Sequence, residues 1–65
     1  MNSAPTEMEL WAHVYRISRQ HGDAAWRYLA DQISEFLMAG DEAGVRHWRD
    51  LEDRLRRLRR GGSLH

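Results

Sequence analysis

The chain has 65 residues with ten basic and ten acidic side chains, for zero net charge, and it contains no cysteine. That length allows one domain near the lower limit for independent folding. The absence of cysteine excludes disulfide staples and thiolate metal sites. No apolar run approaches the ~20 residues of a membrane span and no secretory signal is visible, so the expected location is cytoplasmic.

In chain order, Met1 to Pro5 is short and polar and is expected to be a disordered arm. A domain of three helices is expected over 6–60. Thr6-Glu7-Met8-Glu9 reads as a capping box, in which the Thr6 hydroxyl and the Glu9 carboxylate each serve the other's backbone amide. Helix one follows at about 7–21. Leu10, Trp11, Val14, Ile17 and Ser18 share one face, with Met8 and Tyr15 on its flank and His13 on the opposite side.

Gly22-Asp23 and Gly40-Asp41 bracket the next helical pattern. A glycine in a left-handed conformation closes one helix and the following aspartate caps the next, so both glycines should have positive φ. Helix two is expected at about 24–39 with Asp23 as its N-cap. Its apolar stripe of Ala25, Trp26, Leu29, Ala30, Ile33, Phe36 and Leu37 is wide enough to touch two neighbours, while Tyr28 and Met38 fall off it. Helix three is expected at about 42–60, ended by Gly61-Gly62, with 61–65 a flexible tail. Val45, Trp48, Leu51, Leu55 and Leu58 recur every three or four positions as a leucine seam. Gly44 weakens its first turn by ~1 kcal/mol relative to alanine, which points to close approach of a neighbouring helix.

These elements predict an all-α fold, an up-down-up three-helix bundle with Trp11, Trp26 and Trp48 as core candidates. Small domains without staples often need a partner subunit, so self-association is a candidate property. Helix three should overhang its neighbours by about one turn, carrying Arg59 and Arg60.

Every basic residue is arginine, and five of the ten lie between Arg54 and Arg60. Arginine's planar fork suits carboxylate and phosphate. The cluster has a plain structural reading: it complements the dipole at a helix C-terminus, after a run of spaced pairs such as Arg46–Asp50, Arg49–Asp53, Asp50–Arg54, Glu52–Arg56 and Asp53–Arg57. It also has two functional readings, in which Arg56, Arg57, Arg59 and Arg60 meet an acidic protein surface or a nucleic-acid backbone. Interleaved acids and zero net charge favour the protein. Met8, Trp11 and Tyr15, along one edge of helix one, form a second candidate protein-docking surface.

No catalytic, cofactor or metal site is expected. None of the histidines is paired at the i, i+4 spacing of a helical metal site, and the glycines are explained as helix stops rather than a phosphate loop. So small a bundle offers little enclosed volume for catalysis, and no small-molecule substrate is expected. The resulting expectation is a non-enzymatic protein-interaction domain binding itself or another protein. A nucleic-acid-associated regulator using the Arg-rich end is the alternative.

The pattern Glu9-Leu10-Trp11-Ala12, Gln20-His21-Gly22, Ile33, Ala39-Gly40-Asp41, Gly44-Val45 and Trp48 resembles a family of short bacterial helical proteins known only as a domain of unknown function. The resemblance implies a small helical fold and carries no activity or site residues with it.

Overall fold

The computed structural model describes residues 4–62, with the side chains described as far as 60. The parts of the expected arm and tail at 1–3 and 63–65 lie outside that range. Among the described residues the chain is all-helical: α1 (Glu7–His21), a single 3-10 turn (Gly22–Ala24), α2 (Ala25–Ala39) and α3 (Glu42–Gly62).

The capping box closes at the start of α1. The Glu9 amide donates to Thr6 Oγ1 at 3.2 Å and the Thr6 amide to Glu9 Oε1 at 2.8 Å. Gly22 and Gly40 are the residues with positive φ among those described, at 54° and 73°. Gly40 is left-handed, its amide donating to the Leu37 carbonyl, and the Asp41 amide reaches the Phe36 carbonyl. Asp41 then caps α3 by accepting from the Gly44 amide at 2.9 Å.

The first turn corrects one expectation. Asp23 lies inside the 3-10 turn, and Ala24 occupies the N-cap of α2 without a side-chain hydrogen bond. Gly22 has ψ of −125°, outside the left-handed helical region. The backbone there turns through an extra tight loop instead of passing directly from stop to cap. At the far end, α3 continues through Gly61 and Gly62, since glycine tolerates helical φ and ψ although it does not favour them.

The core is aliphatic. Leu10, Val14 and Ile17 from α1, Ala25 and Leu29 from α2, and Leu51 and Leu55 from α3 form one buried cluster. Trp11, Tyr28, Trp48 and Leu58 are half-buried against it. Trp26, expected in the core, is 36% exposed, and Leu37, expected on the buried stripe, is 56% exposed. Tyr28, expected outside, is turned inward instead, its ring stacking on His21 at 4.1 Å and meeting Trp48 edge-on at 5.9 Å.

These shifts have one cause: α3, not α2, is the helix that both others pack against, while α1 and α2 touch each other far less. The buried face of α2 is therefore centred on Ala25, Leu29 and Ile33, and the other edge of its wide stripe is left uncovered. α3 folds back along α2 after the Gly40-Asp41 turn, with Gly44 against the Phe36 ring. A Cβ at position 44 would collide with that ring, which explains the glycine. α1 is inclined across α3. Glu7 meets Arg54, His13 meets His47 and Trp48, and the Gly22 carbonyl meets Arg59, so the partners do not advance steadily along α3.

Candidate functional site

The arginines at the end of α3 are engaged by the fold itself. Arg54 grips Glu7 with two parallel hydrogen bonds, Nε to Oε2 at 3.0 Å and Nη2 to Oε1 at 2.7 Å. Its Nη1 donates to the Asp50 carbonyl at 2.9 Å. The hydrogen bond from Arg54 is the main reason the Glu7 carboxyl lies below its ordinary range, and the Arg54 pKa is raised in return. Asp53 serves two cations, Arg56 at 3.7 Å and Arg57 at 3.2 Å. Arg59 Nη2 donates to the Gly22 carbonyl at 2.8 Å, so the last turn lies against the α1–α2 connection and does not overhang freely. Arg60 also interacts within the chain.

Of the five charge pairs expected along α3, Asp53–Arg57 forms among the described residues. Arg54 turns away from the Asp50 side chain to Glu7, and Asp53 takes Arg56 and Arg57 instead of Arg49. Arg46 and Arg49 consequently have no ion pair or hydrogen bond among the described residues.

The edge of α1 divides in two. Trp11 is half-buried, and its indole N–H donates to Glu7 Oε2 at 2.8 Å, which joins it to the Arg54 pair. Met8 and Tyr15 stay 80% and 55% exposed, with the Arg19 guanidinium 6.0 Å over the Tyr15 ring. The structure thus does not unite Met8, Trp11 and Tyr15 with Arg56, Arg57, Arg59 and Arg60 into one site.

The histidines also move from expectation. His13, placed on the outer side of helix one, is half-buried with its ring 6.1 Å from His47 and 5.6 Å from Trp48. Burial, then the charges of His47 and Arg16, push its pKa below the ordinary value. Among the described residues no group of three or more His, Asp or Glu side chains is placed to hold a metal ion, and no helix is long and apolar enough to cross a membrane.

A concavity lies elsewhere, on the side of the α2–α3 pair. It is an open groove of about 510 Å³ beside the Gly40-Asp41 turn, lined by Phe36, Leu37 and Val45 together with Glu42, Arg46 and Arg49. A smaller groove of about 220 Å³ continues from Leu37 and Arg49 to Ala30, Ile33 and Glu52. At 100° per residue, Trp26, Ala30, Ile33 and Leu37 form one row on α2, and Glu42, Val45, Arg49 and Glu52 form one on α3. The sequence carries a signal for this face in the excess width of the α2 stripe. The i, i+4 spacing of Arg46 to Asp50 and of Arg49 to Asp53 hides it, because spacing does not show which cation each acid takes.

No curated protein and no solved structure matches the chain. The pattern of a family of unknown function (DUF6961) matches residues 6–62, and the chain belongs to that family.

Proposed function

We propose that this chain is a non-enzymatic protein-interaction domain, its helices arranged up-down-up with α1 inclined across the α2–α3 pair. The observation that carries this reading is the α2–α3 groove. It combines the exposed Leu37 and the half-buried Phe36 and Val45 with two arginines that have no ion pair or hydrogen bond among the described residues. Arginine beside apolar surface is the composition favoured where proteins meet. Met8 and Tyr15 on α1 offer a second, smaller apolar patch.

The alternative is a nucleic-acid-associated regulator using the Arg-rich end of α3. Against it, Arg54 and Arg59 are tied to α1 and the turn after it, Arg56 and Arg57 share Asp53, and the chain is neutral. Phosphate binding would have to draw these cations out of existing contacts.

Two assays on the same preparations test the choice. The protein reading expects a discrete protein partner, itself or another chain, to be held by the parent and lost in Leu37→Glu, with helicity unchanged. Titration with random-sequence duplex at low salt should show negligible binding. Saturable micromolar duplex binding that disappears when Arg56, Arg57, Arg59 and Arg60 become glutamine would establish the regulator instead.

A further inference from the structure

The α2–α3 face carries a charge arrangement that selects among protein partners. We infer that its partner is a second copy of this chain, docked about a two-fold axis that runs beside α3, perpendicular to it and level with the midpoint between Val45 and Arg46. This inference rests on the protein-interaction reading and names the partner within it.

A two-fold interface must be self-complementary: whatever residue i meets on the partner, that residue must meet i in return. Along the open side of α3 the exposed charged residues include Glu42, Arg46 and Arg49, spaced at helical intervals on one face. When two α3 helices run antiparallel about the stated axis, Glu42 and Arg49 lie at equal distances on either side of it. Each Glu42 then falls opposite the Arg49 of the other copy, giving two equivalent ion pairs. Between them, Val45 falls opposite the apolar stem of the twin's Arg46, a stem that can cover apolar surface while its head stays in water. The exposed Leu37 side chains, which line the same groove as Val45, approach each other beside the axis.

Two further features agree with a copy of the same chain. Zero net charge removes long-range repulsion between copies. Eight buried apolar side chains among the described residues make a small core, and domains of this size without disulfides or metals commonly gain their remaining stability by association. The leucine seam of α3 cannot serve that purpose, because Leu51 and Leu55 are fully buried within the chain.

Sedimentation equilibrium on the full chain across a hundredfold range of concentration tests the proposal, with circular dichroism confirming the fold of each variant. The parent should reach twice the chain mass at high concentration. Leu37→Glu should remain monomeric at the same helicity, and so should Arg49→Glu, which places two acids opposite each other. The decisive variant is Glu42→Arg combined with Arg49→Glu: it restores opposite charges across the axis and should recover the dimer. A parent that remains monomeric throughout overturns the second-copy proposal, and so does a dimer unaffected by Leu37→Glu. A double variant no better than Arg49→Glu alone overturns the stated axis. A monomeric parent that still binds a different protein through Leu37 would overturn the second copy while leaving the protein-interaction reading intact.

Discussion

The two sides of α3 use the same residue types for opposite ends. Toward α1, leucines are fully buried and arginines are tied down: Leu51 and Leu55 fill the core while Arg54 holds Glu7 and Arg59 holds the Gly22 carbonyl. Toward the groove, Leu37 is more than half exposed and Arg46 and Arg49 have no partner among the described residues. Only the first side has a third helix to meet. Composition alone therefore does not mark a binding surface in so small a chain. The mark on which the proposed docking face rests is apolar and guanidinium surface that has no partner among the described residues.

The largest effect that would break this contrast comes from truncating the same residue type on each side. Leu51→Ala should cost ~2–5 kcal/mol, because it opens a cavity that the surrounding helices cannot fully close. Total stability of small domains is often ~5 kcal/mol or little more, so the variant should be largely unfolded at modest urea. Leu37→Ala should change stability by less than ~0.5 kcal/mol in the monomer. Urea unfolding followed by circular dichroism at low protein concentration checks both. Equal losses would mean that the groove face belongs to the core.

Next in size is Gly44→Ala. Helix propensity alone would make alanine the better residue by ~1 kcal/mol. The Phe36 ring occupies the place of the new Cβ, so we expect a net loss of ~1–3 kcal/mol from overpacking. Pairing it with Phe36→Leu should recover much of that loss. A stabilised single variant would show that α2 and α3 have room to separate at this end.

Helix existence and one turn were legible because their causes are local. Thr6 and Glu9 satisfy each other within one turn, and Gly40-Asp41 stops one helix and caps the next with atoms only a few residues apart. The surroundings of Trp26, Tyr28 and His13 are not legible from spacing, because their burial depends on which neighbour covers which face. The helical wheel gives the width of an apolar stripe but not which edge of it is occupied. The ion pairs failed for a similar reason. Spacing within α3 offered Arg54 to Asp50, but Glu7, 47 positions away in sequence, gave it a bidentate partner. The groove became visible only when these long-range choices had left Arg46 and Arg49 over.

A smaller effect separates the two groups of arginines. Arg54 is a side chain only 12% exposed, whereas its partner Glu7 is largely in water. Arg54→Met should keep the packing of the stem and lose the pair, producing a modest fall in melting temperature. Arg49→Met should leave the monomer's melting temperature unchanged. Salt distinguishes the cause: added sodium chloride should narrow the gap between the parent and Arg54→Met by screening the half-exposed pair. A gap independent of salt would make Arg54 a packing residue rather than an electrostatic link.

The smallest effect concerns pH and sets two points of the α1–α3 contact against each other. His13 has its pKa depressed, first by burial and then by the charges of His47 and Arg16, with Trp48 beside it. A depressed base prefers to be neutral in the fold. Between the unfolded value near 6.5 and the lower folded one, the unfolded chain binds more protons, so stability falls as pH falls through that interval and levels off beneath it. Glu7, also depressed but an acid, contributes stability that is present above its ordinary value of 4.5 and is lost as pH drops through its folded value. The urea midpoint should therefore decline in two separate steps, one beginning near pH 6.5 and the other below pH 4.5. His13→Gln should remove the upper step and keep the lower, while Glu7→Gln should do the reverse. A midpoint that is flat from pH 7.5 to pH 5 in the parent would show that His13 titrates alike in the folded and unfolded chains, and that the His13–His47–Trp48 contact opens readily to water.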